Sequence, residues 1–506
     1  MQKFLNFYRR NNLEIEFVQA KNGEQTFCIN KSFYHSSYAP SKEAERFYNN
    51  VQIPYTPRLI FLIEPGLPYA KKILSQKFPD SKIIRIKILK TIQQDEYWDF
   101  SIDFNSSSKS ERLFTDFFDE AMLLESIIIT WPAAEKFFKN ETDLIWTFYK
   151  KALENAKTIL VTRQFFERKW LYNTCKFFCR IQNTLIFNII NLPVLITASG
   201  PSLQNAIKII KENSDKFFLI ALSSSFSVLL KNKIKPDLVM TTDGGFWAGE
   251  HLKEIIRNYN DIPIALSSEA YIPNKAFENP IIPLNYDEGL STEIFKASGI
   301  QYLNAKRNGT VSGTALEFAE NISTHEIFFC GLDLSISKGF QHTKPNELEK
   351  NNCLKDSRIK TPYTRLLKSE FSNSSLEIYL DWFCNHNFKN KTYRIIDNPQ
   401  NHIDGMQEIS TFEFTEILNR IPINNKNEKL QKNKNQIKEA DKKILKQKIK
   451  DFVLKKIESE QWTQQIFPID YVSISHAENK DKEKITELLE QKKSELKNRI
   501  RKLFDE

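Results

Sequence analysis

The alternation of apolar and polar positions divides the chain into three stretches. Up to about residue 165, short apolar runs alternate with amphipathic stretches of helix length. Arg58-Leu59-Ile60-Phe61-Leu62-Ile63-Glu64-Pro65-Gly66 reads as a buried strand stopped at Pro and Gly, Tyr69 to Phe78 as a helix, and Ser81 to Ile88 as a second strand. Strand, glycine turn, helix and strand make a βαβ unit. Ahead of it, Tyr34 to Arg46 reads as a turn feeding a helix, with a serine N-cap candidate and acidic residues in the first turn.

From about 166 to 410 the alternation is clearer. Val194–Thr197, Phe217–Leu222, Leu238–Thr242, Ile262–Leu266 and Glu326–Cys330 are apolar runs of strand length, separated by helical stretches such as Gln204 to Glu212. Runs that are apolar on both faces and spaced by helices predict a mostly parallel, doubly wound sheet. After Pro422 the composition turns polar, and two stretches, Ile437 to Ile457 and Asp481 to Phe504, carry apolar residues at helical spacing among many lysines. The expected fold class is α/β, in three domains. An N-terminal α/β domain covers 1–165, a central Rossmann-like parallel sheet covers 166–410, and a C-terminal α-helical domain covers 411–506.

Composition fits this picture. The 506 residues are 41% hydrophobic and include 39 Phe, enough apolar surface for real cores, so global disorder is excluded. The net charge of +9 is mostly a matter of lysines along the C-terminal helices, where solvated faces are the usual cause. No finger, helix-turn-helix or aromatic-basic signature accompanies it, so no nucleic-acid partner is expected. No run approaches the roughly 18 apolar residues of a membrane span. The first residues lack an apolar signal core, so the expected location is cytoplasmic, with no membrane partner. The six cysteines are scattered, and only Cys175 and Cys179 lie close, at i,i+4; they read as reduced packing residues rather than a disulfide or metal framework.

Three pieces carry candidate chemistry. Ser199-Gly200-Pro201-Ser202-Leu203 follows a strand and opens a helix, where a glycine turn lets backbone approach a phosphate and the helix start supplies N–H donors. It is neither a G-x-G-x-x-G fingerprint nor a P-loop, and a plain strand-to-helix turn is the alternative. Asp243, beside Gly244 and Gly245 at a strand end, suits a sugar hydroxyl or a metal, or simply caps its loop. Asn308-Gly309-Thr310-Val311-Ser312-Gly313 opens another helix, and a later strand ends at Gly331-Leu332-Asp333 before a polar loop holding His342. A histidine sharing a strand-end loop with a carboxylate is a candidate general base. His402 lies in a similar turn-rich loop.

These motifs resemble the motility-associated factor (Maf) flagellin glycosyltransferases, which belong with the MptE-like, 6-hydroxymethylpterin pyrophosphokinase-like proteins. The carriers are Ala198 to Leu203, Ile234-Lys235-Pro236-Asp237 with Thr242-Asp243, Gly309-Thr310-Val311, and Gly331-Leu332-Asp333-Leu334 with His342. Tyr34-His35-Ser36 through Arg46 is similar to the Maf N-terminal region. The central part also resembles bacterial sialyltransferases that use CMP-sugars, except that Ala198 and Ser199 stand where those enzymes have Gly and Asn. The resemblance implies transfer of a sialic-acid-like nonulosonic acid from its CMP conjugate to Ser or Thr of flagellin, with no metal and no cofactor besides the donor. In that scheme His342 is the base, supported by Asp333. The donor lies against Ser199, Gly200, Pro201, Ser202, Leu203, Asp243, Thr310, Ser312, Gly313 and Gly331, its phosphate held by N–H groups from Gly200 to Leu203 and near Ser312. Two other readings stay open. One is a pterin diphosphokinase with ATP and Mg²⁺ on Asp243 and Asp333, and the other is a motility or assembly protein that keeps the fold without turnover.

Overall fold

The computed structural model describes residues 13–92, 95–104, 112–187, 189–335, 342–346, 350, 353–359, 361, 374–421 and 432–505. They fall into two compact units: 1–167 with 460–495, and 168–459 with 496–506.

The first unit opens with an antiparallel meander, β1 (Ile15–Gln19), β2 (Gln25–Ile29) and β3 (Ser32–Phe33). Its main sheet is parallel, built from β4 (Leu59–Ile63), β5 (Lys82–Lys87), β6 (Phe100–Asp103) and β7 (Ser126–Thr130) in the order β6-β5-β4-β7. All five residues of β4 are buried, as a strand covered on both faces requires. At its end Glu64, fully buried, accepts the N–H groups of Ile88 and Leu89 at 2.7 Å each and pairs with the equally buried Arg85 at 3.3 Å. The helix expected after Tyr34 runs Pro40–Asn50, with proline in its first turn rather than a serine at its cap. Ser41 instead turns its hydroxyl to Glu24, while Ser36 accepts the N–H groups of Tyr38 and Ala39 and donates its own N–H to Glu43. Proline's fixed φ already suits the first helical position, and the free N–H of Ser41 in that turn is taken by the Glu24 carboxylate at 2.9 Å.

A 42-residue helix, Lys139–Arg180, begins in the first unit and ends in the second. It contains neither Gly nor Pro, so nothing local stops it where the boundary at 165/166 was expected.

The second unit holds an 11-stranded sheet. Its strands are β8 (Asn183–Phe187), β9 (Val194–Thr197), β10 (Phe218–Leu222), β11 (Leu238–Thr241), β12 (Ile264–Ser267), β13 (Ile281–Asn285), β14 (Leu303–Asn304), β15 (Ile327–Cys330), β16 (Thr392–Ile395), β17 (Gln407–Ile409) and β18 (Lys432–Gln436). The order is β17-β16-β15-β9-β10-β11-β12-β13-β8-β18, with β14 against β13, and every pairing is parallel except β18 with β8. The strand β18 is polar throughout, Lys-Asn-Lys-Asn-Gln, and closes the sheet as a charged edge. The α/β class and the doubly wound sheet are as the sequence pattern predicts. Residues 411–506 are shared between the two units: Glu439–Lys456 lies in the second, Glu460–Ile466 and Pro468–His476 in the first, and the helix Asn479–Asp505 runs from the first into the second.

Candidate functional site

Strand order decides where a ligand can enter this sheet. From β9 the chain steps outward through β10, β11, β12 and β13, then returns to β15 on the other side of β9 and steps outward through β16 and β17. Connections therefore leave β9 and β15 in opposite directions, and a crevice opens at the carboxyl ends of these two strands. The turns that line it are Ala198–Leu203 and Gly331–Leu334.

The two turns interlock. Gly200 donates its N–H to the Gly331 carbonyl at 2.8 Å, while the Asp333 carboxylate accepts the Ser202 N–H at 3.1 and 3.2 Å and its hydroxyl at 2.9 Å. A Cβ on Gly200 would lie 2.0 Å from Asp333 Oδ2, and one on Gly331 would lie 2.3 Å from the Ala198 carbonyl oxygen at φ +75°. Glycine is thus fixed at both positions by the approach of one turn to the other. The N–H of Leu203 goes to the Gly200 carbonyl at 3.1 Å, and Pro201 has none to give. The expected phosphate cradle of N–H groups from Gly200 to Leu203 is therefore closed in this state, because Asp333 supplies the anion that this helix start attracts. Leu203, fully buried, anchors the helix Leu203–Glu212 in the core. Burial pushes the Asp333 carboxyl up, against the downward pull of the Ser202 bonds.

Behind Asp333 stands a support that sequence reading missed. Asn401 donates to the carbonyls of Asp333 and Leu334 at 3.2 and 3.0 Å, and is itself held by the fully buried Arg394 at 2.7 Å, which also reaches Glu408. The neighbouring His402 is exposed, with Glu408 at 3.5 Å and Asp404 at 3.7 Å. In that turn-rich loop it is Asn401, one residue earlier, that reaches the site.

The loop carrying His342 is tied across the β9 turn. Thr343 donates its N–H to the Ser199 carbonyl at 2.7 Å, its hydroxyl lies 3.5 Å from Gln204 Oε1, and Asn346 donates to the Ser224 carbonyl at 3.3 Å. His342 is half-buried beside these tethers. Phe340 and Gln341, which precede it, lie outside the described residues.

Asp243, Thr310, Ser312 and Gly313 belong to other strand and helix ends. Asp243 is exposed after β11 and accepts the Gly245 N–H at 2.7 Å. Thr310 caps the helix Val311–Ile322 by accepting the Ser312 N–H at 3.3 Å. Gly313 fits under Trp382, whose ring atoms would lie 2.9 Å from an added Cβ. β15 and β11 are three strand spacings apart, about 14 Å at ~4.8 Å per step, so Asp333 and Asp243 do not converge on one ion. Among the described residues, no group of three or more His, Cys, Asp or Glu is arranged to hold a metal ion.

A charged cluster unseen in the sequence sits above β12 and β13. Glu269 is 4% exposed and pairs with Arg307 at 2.6 Å. The Arg307 guanidinium lies 4.5 Å from the Trp170 ring and 4.8 Å from Tyr286, and its Nε reaches Glu288 at 2.9 Å. Burial pushes the Glu269 carboxyl up, opposed first by the Arg307 charge.

Comparison with known proteins adds three findings. Residues 151–339 match the family described as MptE-like, 6-hydroxymethylpterin diphosphokinase MptE-like. Two uncharacterized proteins of Treponema pallidum (strain Nichols) are similar, one 29% identical over 265 residues and the other 25% over 219, covering 52% and 39% of this chain. The matched regions span 58% and 37% of those proteins' own lengths. The structure of the Maf glycosyltransferase from Magnetospirillum magneticum AMB-1 shares the fold, with a TM-score of 0.50 at 12% identity over 100% of this chain and 93% of that one.

Proposed function

Because the chain carries an MptE-like domain and has the fold of a Maf glycosyltransferase, we propose that it transfers a sugar from a nucleotide donor to a protein hydroxyl. The donor in this reading is a CMP-nonulosonic acid, a pseudaminic, legionaminic or sialic-acid-like sugar. The acceptor is Ser or Thr of flagellin, and the location is cytoplasmic. Among the described residues no helix is long and apolar enough to cross a membrane. The observation that carries the proposal is the crevice between β9 and β15, with the loop of His342 tied to Ser199 at its rim.

In the reaction, the acceptor oxygen attacks the anomeric carbon as His342 takes its proton. The bond from that carbon to the donor phosphate breaks, and CMP leaves with the electron pair. Since the N–H groups from Gly200 to Leu203 are engaged internally, the leaving phosphate is met by side-chain hydroxyls of the rim, Ser199 first. Asp333 acts through Ser202, fixing the turn. Its second support is Asn401.

The family match also favours a second reading, diphosphate transfer from ATP·Mg²⁺ to a pterin. The strand separation between Asp243 and Asp333 weighs against their sharing an ion. The deciding assay incubates the purified chain with flagellin and a CMP-nonulosonate and reads the flagellin mass. One added nonulosonate per modified site, lost with His342→Ala, supports the proposal. Pterin diphosphate formed from ATP, with flagellin mass unchanged, supports the second reading, and no turnover of either supports an assembly role.

A further inference from the structure

The helix Val311–Ile322 has one side that serves neither the crevice nor the sheet. Between it and the helix Ser374–Cys384 lies a cavity of about 900 Å³, near the upper end of small-ligand sites. Its chemistry differs from that of the crevice.

Asn308, which lines the cavity, is 8% exposed, and its amide Nδ2 meets no acceptor. A buried donor left this way costs free energy that a ligand oxygen would return. Trp382 forms a rigid wall, seated against Gly313 and stacked on His386 at 4.9 Å. His386 is held in turn by the Glu320 carboxylate at 3.2 and 3.3 Å. The rest of the lining is rich in carboxylates and amides, among them Asp287, Asn304, Asp381 and Asn385. Its two lysines are already engaged, Lys306 near Glu317 at 3.8 Å and Lys389 on Asn321 at 3.3 Å. Amides and carboxylates pair with hydroxyl groups, an indole wall suits the C–H faces of a sugar ring, and the acidic balance disfavours an anion.

We propose that this cavity binds an uncharged carbohydrate of one or two rings, at a site separate from the nucleotide crevice. The proposal rests on the cavity's own lining and stands whether or not the chain is a transferase.

The test is saturation-transfer NMR and calorimetry on the full chain with N-acetylglucosamine, galactose and maltose as neutral probes and free sialic acid as the anionic counterpart, each with and without saturating CMP. At least one neutral sugar should bind saturably in the presence of CMP. Asn308→Ala, which keeps the Cβ packed on Gly313, should weaken that sugar about tenfold, the loss of one good hydrogen bond. Trp382→Ala should weaken it further. The proposal is overturned if no neutral sugar binds the wild-type chain, if sialic acid binds best, if CMP displaces the sugar, or if Asn308→Ala binds as the wild type does.

Discussion

Replacing Gly200 by alanine should cost the second unit several kcal/mol, and the structure says where. The new methyl carbon would start 2.0 Å from Asp333 Oδ2 and 2.5 Å from the Gly331 carbonyl oxygen. The carboxylate can swing away only by giving up its bonds to the Ser202 N–H and hydroxyl. The carbonyl cannot swing at all, because it is backbone held by the Gly200 N–H at 2.8 Å. Overpacking of this kind costs about 1–3 kcal/mol, and a hydrogen bond to a charged acceptor about 1.5–3. Their sum puts Gly200→Ala at roughly 2.5–6 kcal/mol. The control is Gly299→Ala, where φ is +75° and nothing lies within 4 Å, so only the left-handed backbone penalty of about 1 kcal/mol applies. Native-state hydrogen exchange of the β9 and β15 amides reads the loss at the place where it occurs. If those amides in Gly200→Ala exchange within 1 kcal/mol of the wild type, the interlocked turns do not hold the site together.

Other consequences can be measured directly. Arg307→Ala leaves Glu269 buried without its cation and should cost about 3–5 kcal/mol in urea unfolding of the second unit, while Arg307→Lys restores charge but not the contact with two rings. Burial holds the His35 imidazole down at about 3, so its neutral form stabilises the first unit fully above about pH 6.5, and that contribution is lost as pH falls toward 3. Unfolding free energy should therefore drop by about 1.4 kcal/mol per pH unit from this residue across that window, and His35→Gln, which can still accept the Leu67 N–H, should flatten the slope.

How much of this was legible from the residues varies with the range of the interaction. The strand Val194–Thr197 matches its apolar run to the residue, because the run is too short for a helix and stops at the turn residues Ser199-Gly200-Pro201. The turn after it and the strand end at Asp333 are also local signals. What local pattern does not carry is their meeting: Ser202 and Asp333 are 131 residues apart in sequence, and nothing near Ser202 says that its N–H is already taken. Thr343, Asn346 and Asn401 escaped notice for the same reason, since each acts through a backbone carbonyl far along the chain. The division into domains was obscured by continuity, with a helix free of Gly and Pro running through the expected boundary. The strand β18 was hidden by its polarity, which suits an edge and not a core.

The central claim is that the crevice between β9 and β15 receives a cytidine nucleotide. It is tested most directly by calorimetric titration of the full chain with CMP, without added divalent metal, alongside ATP·Mg²⁺ and the His342→Ala variant. The account predicts one CMP site per chain, retained in His342→Ala because the role proposed for that residue is on the acceptor, and no comparable binding of ATP·Mg²⁺. Folded protein that binds ATP·Mg²⁺ and not CMP would contradict it.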